Sequence, residues 1–576
     1  MTLAVIHAIR VSMYLRTTKR KNKDGSEVKY YQLAHNERDS KTKKPVAHII
    51  HNFGRSDTLD KDVLVRLCKS IARICGVDVI ENCQNPINKD FITSNACDIP
   101  NDMEIIKTVD LGPITVIESL WEKIGIGKTL RKITKSKKSK ALYERALLAM
   151  TANRLCEPDS KLGVWDRWLS TVYLPSCSQL KLKNMYEAMD LLYKHKDTIE
   201  ENIFYYTANL LNLSVDLIFY DTTTAVFSVD DYDLDDDDIR QRGRDKNGGF
   251  SVQVVVALAV TQDGIPVRCW VLPGNTTDVQ TVKKVRTDLR GWNLGRALFV
   301  ADAGMNSEKN RRELSKACGK YILATRMTSV SEIKNEVLSH RGKYKVISEN
   351  LLAKQVVIGN GERRRRYILC YNPREAERQK KRRKEIIANL EQEISKHKDT
   401  KATAKWAIDL LASKRYKKYL KINNQNKICI NRQIVKDSER FDGKWVLETN
   451  DDTITIEDAA SGYKSLLIIE RCFRSLKKTQ IKLEPMFHWL DHRIESHIRI
   501  CVLALLIERV AEIHLGKTWF QILQILKDLQ ATKFQTTSHT FYRRNKLNDS
   551  IIKFFKTLDI KEPNSILEIR SLSDSN

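Results

Sequence analysis

The 576-residue chain lacks the sequence features that mark several common classes of protein. Its 12 cysteines include no Cys-x-x-Cys pair, so no zinc-ligand spacing is present. Its first residues lack the basic, apolar and small-residue pattern of a signal peptide. Its longest apolar run near the end, 500–507, is too short to span a bilayer. We therefore expect a reduced cytoplasmic protein with free, buried cysteines and no membrane partner.

Acidic residues are also in deficit, because 72 Asp and Glu face 99 Lys and Arg, which gives a net charge of +27. Such an excess is more than solubility requires. Nucleic acid is the common partner of a strongly basic chain, since each neutralised phosphate releases condensed counterions. The alternative is a basic protein from an AT-rich genome, in which Lys codons accumulate. The charge alone leaves both readings open.

The length predicts several domains or one large core with insertions. Strand-like runs at 28–33 and 46–50 precede a helical pattern at about 58–80, and apolar spacing of three and four residues recurs through 113–212. We expect six regions: an N-terminal strand and helix region that is a candidate for DNA binding (1–110), a helical region (111–212), the first part of a catalytic core (213–327), an insertion (328–445), the second part of the core with a helix that carries a glutamate (446–516), and a C-terminal helical region (517–576).

After residue 212 the pattern of apolar residues changes from one typical of helices to one typical of strands. Two of the short apolar runs are joined by a hairpin turn at Asp263-Gly264, and helical patterns flank a later run. This order predicts a mixed α/β (α+β) fold, a ribonuclease H-like core that is interrupted by a strand and helix insertion and preceded by a helical N-terminal region. The predicted strands are 217–220, 251–260, 266–272, 297–301 and 321–324.

Three carboxylates occur in distinctive settings. Asp221 and Asp302 each end an apolar run, and Glu470 opens a basic helical stretch. Two carboxylates from strand ends and one from a helix suit a site in which two divalent ions, roughly 4 Å apart, act on a phosphodiester. Each residue alone is also consistent with a turn, a loop or a surface helix.

The helix that carries Glu470 has a polar face and an apolar face. Glu470, Arg474 and Lys477 share one face at helical spacing, while the apolar residues between them form the other. A carboxylate beside cations can bind a metal while its neighbours hold phosphate oxygens. The alternative is an ordinary surface pair between Glu470 and Arg474, which stabilises a helix weakly.

With these residues the chain resembles the insertion-sequence transposases of the DDE class. It resembles the group with a β-rich insertion between the second Asp and the Glu, and with a Tyr-Arg-Glu-Lys signature around the Glu. The stretches that carry the resemblance are 219–223, 271–278, 300–305 and 463–477, followed by 484–488 and 493–498.

The resemblance assigns the signature tyrosine to Tyr463, the glutamate to Glu470 and the lysine to Lys477. The arginine position falls on Leu466, which cannot bind phosphate, so Arg471 or Arg474 would take that role. Lys477 and Tyr463 would also contact the DNA and position phosphate. Asp221, Asp302 and Glu470 would be the catalytic residues and would hold two Mg²⁺ ions, for which Mn²⁺ can substitute.

The resemblance also implies an activity. Hydrolysis at the end of the element would release a 3′ hydroxyl, which then attacks target DNA. The protein would bind terminal inverted repeats and target DNA as a homodimer or larger assembly associated with the nucleoid. Two alternatives are open. One is a ribonuclease H-like nuclease without strand transfer. The other, which Leu466 favours, is a catalytically impaired or domesticated transposase that acts as a DNA-binding protein.

The insertion contains basic clusters at 363–366 and 380–384. These clusters would either clamp DNA phosphates or form a solvated face. Trp445, at the far edge of the insertion, would either stack on a flipped base or pack in the core.

Overall fold

A computed structural model of the chain describes residues 13–21, 27–38, 45–55, 103–134, 140–213, 215–227, 237–246, 248–292, 294, 297–397 and 405–572. The chain divides into two units, Met1–Asp98 and Ile99–Asn576. In the first unit an antiparallel sheet has the order β1-β2-β3, and its strands are β1 (Met13–Lys21), β2 (Glu27–Arg38) and β3 (Pro45–Arg55). Val28 and Ala34 lie on one face of β2 and are buried. The strands predicted at 28–33 and 46–50 are confirmed, and the predicted helix at 58–80 lies outside the described residues.

The second unit begins with one strand and a group of helices that pack around a shared apolar core. The elements are β4 (Glu104–Asp110), α1 (Gly112–Lys123), α2 (Ile126–Ile133), α3 (Lys140–Cys156), α4 (Lys161–Asp166), α5 (Leu182–Lys194) and α6 (Lys196–Leu211). The spacing of three and four residues is explained by burial, since Ile117, Leu120, Trp121 and Ile124 are all buried. The helices α1 to α6 lie within the segment whose apolar spacing predicted helices.

A mixed sheet follows. Its elements are β5 (Leu217–Val226), β6 (Gln241–Arg244), β7 (Phe250–Val260), β8 (Pro266–Pro273), α7 (Asp278–Gly291), β9 (Leu298–Ala301), α8 (Glu308–Ser315) and β10 (Tyr321–Thr325). The central strands have the order β8-β7-β5-β9-β10. β7 is antiparallel to both neighbours, whereas β5, β9 and β10 are parallel. Five strands in the order 3-2-1-4-5, with only the second reversed, form the ribonuclease H-like arrangement, so the predicted fold class is confirmed.

The insertion extends this sheet. Its elements are β11 (Lys345–Ser348), β12 (Leu351–Ile358), β13 (Arg365–Tyr371), α9 (Pro373–Lys396), α10 (Lys405–Ala412), β14 (Leu420–Ile422), β15 (Ile428–Ile430), α11 (Arg432–Glu439) and β16 (Lys444–Thr449). β16 pairs with β10 on one side and with β13 on the other. The insertion is therefore joined to the central sheet by main-chain hydrogen bonds. Trp445 is half-buried on β16 and packs against the main core.

Three helices then cover one face of the sheet: α12 (Ile456–Lys464), α13 (Leu467–Lys477) and α14 (Asp491–Leu515). α14 packs against α3, α5 and β8, and most of its residues from Ile494 to Ala511 are buried. Within the described ranges no helix is both long and apolar enough to cross a membrane.

The C-terminal region differs from the prediction of a helical segment. Two strands, a helix and a third strand follow α15 (Trp519–Leu526), namely β17 (Gln530–Gln535), β18 (His539–Arg544), α16 (Asp549–Thr557) and β19 (Ile566–Ser571). The three strands form an antiparallel sheet with β4, in the order β19-β18-β17-β4. The helical prediction is wrong at 530–544, because pairing with a strand at the other end of the unit sets the local structure there.

Candidate active site

The first two predicted acids lie on adjacent parallel strands at the centre of the sheet. Tyr220 on β5 is opposite Ala301 on β9, so the next residues along the two chains are Asp221 and Asp302. Asp221 is half-buried within β5, and Asp302 is exposed just beyond the end of β9. The strand β5 continues past Asp221 to Val226, whereas β9 ends before Asp302, so this register brings the two carboxylates together where β9 ends.

Tyr463 connects a helix of the covering layer to this pair. Its hydroxyl donates a hydrogen bond to Oδ1 of Asp302 at 3.2 Å. Burial, followed by the charges of Asp302, Glu470 and Asp221, raises the pKa of Tyr463 above its ordinary value. The hydroxyl therefore stays protonated as a donor, and the field of all three predicted catalytic carboxylates acts on it.

Glu470 lies in the first turn of α13, which packs against β5. A turn at Ser465 and Leu466 separates α12 from α13. Tyr463 therefore lies in the last turn of α12, and Glu470 lies on the next helix. One face of α13 is buried, through Ile469, Cys472, Phe473 and Leu476, while Glu470 is exposed. The predicted two-faced helix is confirmed.

The environment of Asp221 is rich in negative charge. Burial raises the pKa of Asp221 to about 6, and the charges of Asp278 and Asp302 add to this effect. The N–H of Thr222, which donates to Asp221 Oδ1 at 2.7 Å, and the charge of Lys246 oppose it. A carboxylate in this position is stabilised by a cation.

Asp278 and Lys246 are site residues to which the sequence reasoning gave no role. Oδ1 of Asp278 accepts a hydrogen bond from the hydroxyl of Thr222 at 2.5 Å. Lys246 Nζ lies 3.0 Å from Thr222 Oγ1 and 3.4 Å from Asp278 Oδ2. Asp278 also lies beside Gly304, where an added Cβ atom would come within 3.3 Å of Oδ2. The network therefore links β5, the turn before β7, the start of α7 and the loop after Asp302.

The sequence did contain a signal for Asp278, since it ends the matched stretch 271–278. It is also the first residue of α7, after a capping box formed by Thr277 and Gln280. An acidic residue is favoured there by the helix dipole, so a structural explanation was sufficient. Only the contact with Thr222 shows that Asp278 belongs to the site.

Two family models match the chain. One is described as the N-terminal domain of the IS1634 family of transposases and matches residues 15–81. The other is described as the transposase DDE domain and matches residues 230–507. Together they cover more than half of the sequence. The chain belongs to the insertion-sequence transposases of the DDE class.

No curated protein matches this transposase by sequence. Among solved structures it is similar to a piggyBac transposase synaptic complex with hairpin DNA, determined by cryo-EM. The TM-score is 0.31 at 10% identity, over 72% of this chain and 79% of the other. The strand order shows the fold of this transposase, and the two matched models show its family.

The four residues predicted to contact DNA have different environments in this transposase. Lys477 Nζ donates to the carbonyl of Thr224 at 2.6 Å and lies 3.5 Å from Glu484 Oε1, so it is anchored to β5. Arg471 and Arg474 are exposed and line a cleft of about 680 Å³ between α13 and the α14–α15 segment. Of the four residues, Tyr463 alone makes a described hydrogen bond to a predicted catalytic carboxylate.

Leu466, at the arginine position of the family signature, is only 8% exposed and packs in the main core. Its apolar side chain is therefore used for packing at the break between α12 and α13. The residue suits its surroundings, and an arginine there would place a charge among apolar groups.

The donor set fits Mg²⁺, since Asp221, Asp302 and Glu470 offer only carboxylate oxygens. Among the residues that the structure describes, no three His, Cys, Asp or Glu side chains converge closely enough to hold a single ion. Convergence of three is not required, because Mg²⁺ is commonly bound by one or two carboxylates together with waters and substrate phosphates. Asp221 and Asp302 supply one such pair.

Proposed function

We propose that this transposase is catalytically active, and that Asp221, Asp302 and Glu470 support cleavage of DNA at the ends of its element and strand transfer into target DNA. The observation that carries the proposal is the strand register that places Asp221 beside Asp302. The hydroxyl of Tyr463 supports it, since it bonds Asp302 within the field of Glu470 and Asp221.

Two Mg²⁺ ions, or Mn²⁺ in their place, would activate the attacking oxygen and stabilise the leaving oxygen of the phosphodiester. In this proposal Asp221 and Asp302 would hold the ions from the sheet, and Glu470 would hold them from α13. Tyr463 orients Asp302 through its hydrogen bond. Lys246 supplies a positive charge next to Asp221 and is oriented by Asp278 and Thr222.

The proposed partners are the terminal inverted repeats of the element and target DNA, bound by a homodimer or larger assembly. The net charge of +27 supports a polyanionic partner. Arg471 and Arg474 are exposed and are proposed to contact phosphates. Lys477, which is bonded to the carbonyl of Thr224, is proposed to act near the reacting phosphate from a fixed position.

A second candidate function is a DNA-binding protein derived from a transposase, catalytically impaired or domesticated. The observation that favours it is Leu466, which replaces the arginine of the signature with a buried apolar side chain. Retention of all three carboxylates argues against it.

The test is cleavage of a labelled duplex that carries the candidate element end, with Mg²⁺ or Mn²⁺. We expect nicking at the element boundary by the unaltered protein and by Glu385→Gln, a change at an exposed glutamate of α9. We expect no nicking by Glu470→Gln, although it should bind the duplex normally. Binding without cleavage by the unaltered protein would overturn the catalytic proposal in favour of the second candidate.

A further inference from the structure

The insertion contains a basic cleft of about 900 Å³ between α9, the segment after α10 and α11. Its lining includes six cations: Lys334, Arg382, Arg383, Lys414, Arg415 and Lys418. Only two carboxylates, those of Asp437 and Asp442, line the same cleft. The cleft therefore carries a clear excess of positive charge.

One of the two carboxylates, Asp442, forms an ion pair within the protein. Asp442 accepts two hydrogen bonds at 2.6 Å from the buried guanidinium of Arg383. A bidentate ion pair of this kind fixes both side chains and makes part of the cleft rigid. Arg383 is thus a structural residue, and the remaining five cations face one other carboxylate.

Four of the remaining cations, Arg382, Lys414, Arg415 and Lys418, are exposed and are well placed to take an external ligand. Arg382, Lys414 and Lys418 make no hydrogen bond or ion pair with a carboxylate in the described part of the chain. Lys418 lies over the ring of Tyr419, with Nζ 4.6 Å from the ring centroid. Unpaired cations in a concave surface with fixed walls attract phosphate oxygens.

The cluster at 363–366 contrasts with this cleft. Arg364 pairs with Asp452 at 2.9 Å and Arg365 with Glu332 at 3.0 Å. Arg366 is buried and donates to the carbonyl of Ile454 at 2.8 Å. Three of the four arginines that the sequence offered for phosphate binding therefore have partners within the protein.

The cleft is connected to the candidate active site through one turn. The turn between β6 and β7 carries Lys246, which contacts Thr222 and Asp278. The same turn carries Gly248, where an added Cβ atom would lie 3.2 Å from the Nζ of Lys414. Lys246, near Asp221, and Lys414, in the cleft, therefore lie next to the same turn.

We propose that this cleft binds the phosphate backbone of duplex DNA and, through Lys414 and Lys246, guides it towards Asp221 and Asp302. The inference rests on the proposed function for its DNA partner, but it concerns binding rather than cleavage. Backbone contacts are independent of sequence, so a duplex of any sequence serves as the probe.

The test is fluorescence anisotropy with a labelled 40-base-pair duplex and the full-length protein in EDTA, measured across a series of salt concentrations. The cleft variant carries Arg382→Gln, Lys414→Gln and Lys418→Gln. The control variant removes the same charge at exposed cations of the insertion that lie outside both the cleft and the 380–384 cluster, with Lys343→Gln, Arg374→Gln and Lys421→Gln. All six positions are exposed, so both variants should retain the melting temperature of the unaltered protein.

We expect the cleft variant to bind more weakly and the slope of log Kd against log salt to fall by about 2.7, from about 0.9 for each lost contact with B-form DNA. The control variant should keep the original slope. Equal losses in both variants would show an effect of net charge alone and would overturn the proposal, as would an unchanged slope in the cleft variant.

Failure of the catalytic proposal is distinguishable from failure of this one. If the unaltered protein does not cleave but the cleft variant alone loses affinity, the cleft still binds DNA and the active-site assignment fails. If Asp221→Asn abolishes cleavage while both triple variants bind as the unaltered protein does, the catalytic proposal stands and the cleft proposal fails.

Discussion

The hydroxyl of Tyr463 lies 3.2 Å from Oδ1 of Asp302 and joins the end of α12 to the end of β9. The tyrosine is therefore bonded to a proposed catalytic acid in the protein alone, before any DNA is bound. We propose that its first role is to orient this carboxylate.

We expect Tyr463→Phe to reduce DNA cleavage by about 10- to 100-fold, since a hydrogen bond to a charged group contributes about 1.5–3 kcal/mol. Affinity for the duplex should change little. Single-turnover cleavage and anisotropy on the same preparation separate the two effects. Tyr193→Phe, at an exposed tyrosine of α5, is the control. Loss of affinity with normal single-turnover cleavage at saturating protein would instead make Tyr463 a DNA-contact residue.

We expect Asp278→Asn to reduce cleavage by about 10- to 100-fold, because it weakens the network that holds Lys246 beside Thr222 and Asp221. The control is Asp263→Asn, at an exposed turn carboxylate between β7 and β8. Cleavage rates and melting temperatures of both variants are measured together. Cleavage equal to that of the control would mean that Asp278 only begins α7.

We expect Leu466→Arg to lower the stability of the protein by about 2–3 kcal/mol without increasing cleavage, since it places a charge in the core. Leu466→Met, which preserves volume and polarity, should cost less than about 1.5 kcal/mol. Chemical denaturation and cleavage assays measure the two quantities. A gain in cleavage at unchanged stability would show that the arginine position can still reach DNA.

A buried glutamate on α14 predicts a stability that depends on pH. The hydroxyl of Ser475 lies 2.6 Å and 2.7 Å from the two carboxyl oxygens of Glu508. Burial raises the pKa of Glu508 from its ordinary value of 4.5 to about 7, although the bond from Ser475 opposes the shift. Between those two values the folded state binds more protons than the unfolded state, so this group's contribution to stability falls as the pH rises from about 4.5 to about 7.

Glu508→Gln should therefore be more stable than the unaltered protein at pH 8, by up to about 3 kcal/mol, and should match it near pH 4.5. Denaturation at the two pH values measures the difference. Glu385→Gln, at an exposed glutamate of α9, is the contrasting variant and should leave the stability unchanged at both pH values. An equal gain for Glu508→Gln at both pH values would contradict the assignment of the shift to burial.

The order of the central strands was predictable because each strand is a short apolar run with its own turn signals, as at Asp263-Gly264 before β8. The positions of Asp221 and Asp302 after apolar runs followed from the same pattern. Asp302 follows the end of β9 as predicted, whereas β5 continues to Val226, so Asp221 lies within the strand and not at its end. The two-faced pattern of α13 similarly indicated that Glu470 would be exposed.

The network around Asp278 was not predictable, since it joins residues from Thr222 to Gly304 that approach one another only in the folded sheet. The roles of the insertion's arginines were likewise set by distant partners such as Asp452 and Asp442. The strands β17 and β18 were missed because β17 takes its structure from β4. Local sequence carries no record of pairings over such separations.

The pairing of β4 with β17 sets an order of events during synthesis. The hydroxyls of Thr108 and Thr532, 3.1 Å apart in the folded protein, are separated by 424 residues along the chain. At roughly 5–20 residues per second, a ribosome takes roughly 20 to 85 seconds to cover that distance. Throughout that interval β4 has no β17 to pair with, and its unsatisfied main-chain groups can recruit the wrong neighbour. The nascent transposase thus exposes an unpaired strand edge throughout the synthesis of its catalytic core.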